Sequence, residues 1–205
     1  MYDTRPVALP DALPTLEKNI RACTLCTDRM KTVPRPVFSV SSTAQILIAG
    51  QAPGNLAMQS GKAFTDPSGL RLRAWMGIDE TVFYDARHIA IVPMGFCFPG
   101  YDSACSDLPP LKQCAETWRA AVLDQMPNIK LTLLVGSYAQ AWHLGKSRGK
   151  TLTETVKAWR VYAKEGFFVL PHPSWRNNHW LRSNPWFEND TLPALQHAVS
   201  ACLSS

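Results

Sequence analysis

Four short apolar runs punctuate the chain: Ala44 to Ala49 (AQILIA), His88 to Val92 (HIAIV), Leu131 to Val135 (LTLLV) and Phe167 to Leu170 (FFVL), each ending close to a glycine or proline. Their length and their lack of polar alternation predict strands buried on both faces. The stretches between them carry the helical period. One helix is expected from near Ser68 to Gly77, one from about Pro109 to Met126 with Leu111, Cys114, Trp118 and Val122 on one face, and one from Ser137 to Leu144, stopped by Gly145. Alternation of this kind predicts an α/β fold, a three-layer sandwich whose central, mostly parallel four-stranded sheet is covered by helices on both sides. In such sheets ligands bind beyond the carboxyl ends of the strands, so the residues after each strand are the first place to look for chemistry.

Composition narrows the setting. A chain of 205 residues with no linker-like stretch and no internal period reads as a single domain, 1–205, and 46% hydrophobic content supplies a sizeable core. Met1 to Pro10 shows no basic start followed by an apolar run, and no other stretch has the length of a membrane span, so a cytoplasmic protein with no membrane partner is expected. In that compartment the six cysteines are expected as thiols or metal ligands rather than disulfides. The net charge of +5 is mild, but Lys146, Arg148, Lys150, Lys157, Arg160, Lys164, Arg176 and Arg182 face only Glu154 and Glu165 within one segment. That excess suits either a phosphate-facing surface or a solvated helix face.

Two strand ends stand out. After the first strand, Gly50-Gln51-Ala52-Pro53-Gly54 forms a rigid tight turn whose backbone N–H groups suit an anion or a base, and Asn55 to Phe64 follow. After the fourth, Pro171-His172-Pro173-Ser174-Trp175-Arg176-Asn177 holds a histidine between two prolines. An imidazole fixed there can stay neutral near pH 7 and donate to a developing negative charge.

Together, GQAPG with Gly61 and Phe64 downstream and HPSWRN at the last strand resemble the two signature motifs of the uracil-DNA glycosylase superfamily. The first is closest to the iron–sulfur class of thermophiles and many bacteria. The second is similar to that of the single-strand-selective monofunctional class. The likeness runs from about Cys23 to the C-terminus. Cys23 and Cys26 form a C-x2-C, and Cys97 and Cys114 stand sixteen residues apart after the second strand. By donor softness such a set suits Zn²⁺ or an iron–sulfur cluster equally, and unrelated buried thiols are a third reading. The resemblance favours a 4Fe-4S cluster on these four, with Cys105 and Cys202 as bystanders, although Cys105 lies near enough in sequence to compete.

The resemblance implies an enzyme that excises uracil or a related deaminated base from DNA by hydrolysing the N-glycosidic bond. The partner is then damaged DNA, and a monomer suffices. His172 would hydrogen-bond the base oxygen that becomes anionic, and Phe64 would stack on the flipped ring, with Ala52, Gly54, Asn55, Pro93 and Met94 completing the base pocket. Pro53, Ser174, Trp175, Arg176, Asn177, Leu181 and Arg182 would contact DNA, Trp175 and Leu181 being the preferred wedges into the stack. Two departures matter. Gln51 stands where the iron–sulfur class has Glu, and an amide orients water without accepting its proton, leaving Asp66 as a substitute carboxylate. Pro93 and Met94 stand where the superfamily commonly reads uracil with asparagine, and proline has no N–H to offer. Gly54, where some relatives carry tyrosine, leaves room for a 5-substituent. These departures also admit a catalytically inactive DNA-binding or lesion-sensing module. A redox protein using the cysteines is the weaker alternative, because it leaves both strand-end motifs unexplained.

Overall fold

The computed structural model describes residues 12–204; the segment Met1 to Pro10 lies outside them. Along the chain run α1 (Ala12–Arg21), β1 (Ile46–Ala49), α2 (Asn55–Ser60), α3 (Pro67–Met76), α4 (Glu80–Phe83), β2 (Ile89–Ile91), α5 (Lys112–Asp124), β3 (Leu131–Val135) and α6 (Ser137–Leu144). They are followed by α7 (Leu152–Lys157), α8 (Trp159–Ala163), β4 (Phe167–Leu170), α9 (Asn178–Ser183) and α10 (Leu192–Leu203). The four apolar runs are the four strands. They pair in the order β2-β1-β3-β4, and every pairing is parallel.

Burial on both faces accounts for the unbroken apolar character of the strands. On one face Ile46, Ile48, Ile89 and Ile91 join Leu72, Trp75 and Met76 of α3 and Leu195 and Val199 of α10. On the other, Leu47, Ala90 and Val92 meet Ile20 of α1 and Val122 of α5. The outer edge of β2 is occupied by Ser39, which exchanges two backbone hydrogen bonds with Ile91 at 2.9 and 2.8 Å and so leaves little open ladder for another chain. Helix ends follow local chemistry. Pro67 opens α3 behind an extended Asp66, and Gly77, at φ 69°, closes it by returning its N–H to Ala74 and Arg73 carbonyls.

Two interactions fix the carboxyl edge of the sheet. Buried Gln140 on α6 donates to the carbonyls of Leu134 (3.4 Å) and Leu170 (2.9 Å), holding the ends of β3 and β4 together just before His172. Beyond β1 and β2, Met94 N–H donates to Gly50 O and Gly95 N–H to Gln51 O, at 2.9 and 3.0 Å. The segments after β1, β2 and β4 therefore reach the same edge in fixed register.

Candidate active site at the carboxyl edge

A cavity of about 310 Å³ opens between these strand ends, at the lower end of the usual range for small-molecule sites. Gln51 to Asn55 form one wall, Phe64 and Asp66 a second, Pro93 the floor beside β2, and His172 the side toward β4.

The Phe64 wall is built under strain. Phe64 has φ 57°, a left-handed conformation that costs an aromatic residue of order 1 kcal/mol or more. Several contacts hold it there. Tyr84 Oη donates to the Ala63 and Phe64 carbonyls at 2.8 and 3.0 Å, Arg73 adds a longer bond to Phe64 O, and the ring meets Phe83 edge-on at 6.0 Å. Gly69 of α3 lies so close that a β-carbon there would stand 2.6 Å from the Phe64 carbonyl carbon. The ring end reaches over Gly50, 3.4 Å from where a β-carbon would sit. The Phe64 ring is thereby held against Gly50, the residue that follows β1.

His172 is fixed as firmly. Asn177 Nδ2 donates to its carbonyl at 2.7 Å, and Ser174 N–H donates to its Nδ1 at 3.3 Å. Arg71 on α3 donates to Ser174 O at 3.0 Å, tying this loop to the helix that Asp66 precedes. Because Nδ1 accepts, the hydrogen-bond network assigns the proton of the neutral ring to Nε2. Burial holds the His172 pKa below the usual histidine range, the carboxylates of Asp66 and Asp107 pull it upward, and Arg176 pushes it down again. The site thus carries a neutral imidazole with one N–H available.

A family model of the Uracil DNA glycosylase superfamily matches residues 38–196, which span β1 to the start of α10. The chain belongs to that superfamily. Its members act on DNA, and this chain is accordingly of the DNA glycosylase type. Among the described residues no helix is long and apolar enough to cross a membrane.

Against this family, the sequence expectations divide. Gln51, Ala52, Pro53, Gly54, Asn55, Phe64, Asp66, Pro93 and His172 all line the one cavity. Gln51 keeps its side-chain amide uncommitted among the described residues, whereas Asn55 Oδ1 already accepts from Gln59 at 3.3 Å. Met94 does not line the cavity. Its side chain is buried in the core and its N–H is bonded to Gly50 O. Asn177 braces His172 with its amide and so has that donor occupied. Leu181 packs against the core from α9, whereas Trp175 is 72% exposed. Arg176 stacks on Trp175, 5.7 Å from the ring centre, and Arg182 is exposed on α9. The basic segment does not act as one face: Arg160 pairs with Asp190, and Lys164 lies three residues before the start of β4, at the opposite edge of the sheet.

Three participants were not picked out from sequence. Asp107 lines the cavity, from a loop whose polar sequence gives no local signal. Arg119, with no exposed surface, donates from α5 to the carbonyls of Val92 (2.8 Å) and Pro93 (3.3 Å) and to His143 Nε2 (2.7 Å). It fixes the end of β2 that floors the cavity. Tyr84, whose hydroxyl carries the strained Phe64 turn, is the third.

Cys23, Cys26, Cys97 and Cys114 line a separate apolar cavity of about 30 Å³ between the turn after α1, the loop after β2 and the first turn of α5. Burial, reinforced by charge on the neighbouring cysteines, pushes the Cys97 and Cys114 thiols up to about 12 and about 11. Backbone N–H groups already point at two sulfurs, Phe96 N–H at Cys114 (3.3 Å) and Arg35 N–H at Cys97. Among the described residues no three His, Cys, Asp or Glu side chains stand within reach of a common ion. The donor chemistry nonetheless fits a thiolate-bound metal or cluster: four soft ligands, an apolar shell and amide donors to sulfur. Cys105 sits exposed on the loop beyond and Cys202 on α10, neither on this cavity.

Proposed function

We propose that this chain is a monofunctional DNA glycosylase that removes uracil or a related deaminated base. The observation that carries the proposal is the pairing of a neutral, Nε2-protonated His172 with a Phe64 ring held in a strained turn, on walls of one cavity at the carboxyl edge. Breaking the N-glycosidic bond leaves charge on a base oxygen and an electron-poor sugar. The His172 N–H stabilises the first without transferring a proton, because a low-pKa imidazole is a donor that need not ionise. Phe64 offers its face to the flipped ring.

Base choice follows from which polar groups remain free. Pro93 has no N–H, its carbonyl is held by Arg119, and the Met94 N–H is held by Gly50. The uncommitted Gln51 amide, which can donate to one base atom and accept from another, is left to read the base edge. Gly54 leaves space beside it. Base release from oligonucleotides carrying one uracil, hypoxanthine or 5-hydroxymethyluracil, single- and double-stranded, tests this. Release should fall by at least about 100-fold with His172→Ala, the scale of losing one donor to developing negative charge. Gln51→Ala should lose discrimination between bases. DNA binding without release from any substrate would favour the inactive sensor, a reading motivated by the neutral amide at Gln51.

We further infer that Cys23, Cys26, Cys97 and Cys114 hold a 4Fe-4S cluster whose part is structural, tying the turn after α1 to the loop that borders the cavity. Iron and sulfide analysis with a visible spectrum tests it, and the absorption should vanish with Cys97→Ala. Zinc in a colourless protein would assign the site to that metal.

A further inference from the structure

The glycosylase reading leaves one requirement unmet: a carboxylate able to take the proton of the attacking water. Gln51 is an amide. Asp66 borders the cavity, but its carboxylate is already engaged by the single Ser68 hydroxyl, shared between its oxygens at 2.8 and 3.0 Å.

Asp107 differs. It lies on a short reverse hairpin fixed by its own backbone. Tyr101 and Asp107 bridge in antiparallel fashion, Leu108 N–H donates to Gly100 O at 2.9 Å, and Asp102 Oδ1 accepts from Ala104 and Ser106 N–H at 2.9 and 2.8 Å. Lys31 anchors the hairpin through Tyr101 O at 3.0 Å. This places the Asp107 carboxyl at the mouth of the cavity, with Oδ2 4.0 Å from where a β-carbon on Gly54 would be. Among the described residues it makes no side-chain hydrogen bond and no ion pair, so its lone pairs are free.

We propose that Asp107 is the general base of this site. Resting on the glycosylase reading, the step is a substitution at the sugar carbon. The C–N bond breaks with its electron pair going to the base, water forms the new C–O bond, and Asp107 takes the water proton. The base leaves as an anion hydrogen-bonded to His172 and is protonated by solvent, to which Asp107 returns its own proton.

The charge environment agrees. Three charged or titratable groups face Asp107: Arg176 and His172 from the loop after β4, and Asp66 from the entrance to α3. Partial burial of the carboxyl raises its pKa, Arg176 and His172 lower it and Asp66 raises it, the net direction being up. The residue as a whole is exposed, so desolvation at the carboxyl is partial. A raised pKa makes a carboxylate a better proton acceptor.

The test is single-turnover base release by Asp107→Asn and Asp66→Asn proteins against wild type, on whichever oligonucleotide the wild type cleaves, with DNA affinity and the pH profile measured alongside. Asp107→Asn should cost about 100-fold or more, the usual scale of general-base catalysis. DNA affinity should be unchanged or tighter, because a negative charge has been removed beside a polyanion. The acid limb of the wild-type rate profile should disappear. Asp107→Asn within five-fold of wild type, or a loss that merely tracks weakened binding, would overturn the assignment while leaving the glycosylase reading intact. No release by the wild type from any substrate would sink that reading and the assignment with it.

Discussion

Two glycines, Gly54 on the cavity and Gly69 packed behind its Phe64 wall, should respond oppositely to the same substitution. Gly69 lies in the first turn of α3, where helical backbone suits alanine, and propensity alone would reward Gly69→Ala by about 0.5–1 kcal/mol. The site reverses that sign. The new methyl would overlap the Phe64 carbonyl, with its carbon at 2.6 Å and Phe64 Cβ at 2.9 Å, and backbone cannot rotate aside as a flexible side chain can. Overpacking of this kind costs roughly 1–3 kcal/mol or more, so a net loss of about 1–2 kcal/mol is expected. For a chain of this size that lowers Tm by roughly 2–8 °C. The displaced Phe64 should also reduce base release beyond what stability explains, because the ring's position depends on this contact. Gly54 has an ordinary extended backbone, φ −78°, and the nearest atom to a new β-carbon is Asp107 Oδ2 at 4.0 Å. Gly54→Ala should therefore unfold within about 0.5 kcal/mol of wild type, or be stabilised by up to about 1 kcal/mol through a less flexible unfolded chain. Calorimetric melts of both proteins, with release assayed well below Tm, decide the matter. A Gly69→Ala protein as stable as wild type, or a Gly54→Ala protein losing as much, would refute the steric account of the Phe64 wall.

Three other outcomes are expected. His143 is held down to about 3 by burial and by Arg119, below its unfolded value near 6.5. Between those values only the unfolded chain is protonated there, so its contribution is complete above about pH 6.5 and is lost as pH falls toward 3. The loss reaches several kcal/mol in order of magnitude, and His143→Gln, which keeps an acceptor for Arg119, should flatten that part of the stability–pH curve. A variant curve parallel to wild type throughout would reject the buried neutral histidine. Trp175→Ala should leave Tm within about 1 °C, as expected of an exposed ring, yet weaken engagement of an unstacked base by roughly 1–3 kcal/mol, read as DNA affinity. Tyr84→Phe removes two hydrogen bonds from the strained turn and should cost about 1–3 kcal/mol, measured by denaturant midpoint at constant m-value.

The sheet was legible because its strands are short runs, apolar except for Thr132 in β3, that end beside glycine or proline, and all four were found to within two residues. Helices were read unevenly. α2 has no apolar period in its six residues, and α9 lies within a Trp-, Arg- and Asn-rich stretch that reads as loop. α10 was readable in principle, since Leu192, Leu195 and Val199 recur at helical spacing behind Pro193. For the site, the residues adjacent to strand ends were accessible because a strand end fixes where its next few residues go. Asp107 and Arg119 were not, since each acts across folds of the chain that no local pattern announces. Met94, Asn177 and Leu181 were assigned by position in a motif, and it is packing that decides which way such side chains turn.

The strand order has a further consequence. β1, first of the strands in the chain, sits between two partner strands, whereas β4 is an edge strand whose only partner strand is β3, and β4 delivers His172. The cavity is thus assembled from an early, central half and a late, peripheral half. A fluctuation that unzips the β3–β4 ladder would take the imidazole away while the Phe64 wall and the cysteine cavity keep their places. Heat or denaturant should silence this protein before it melts it.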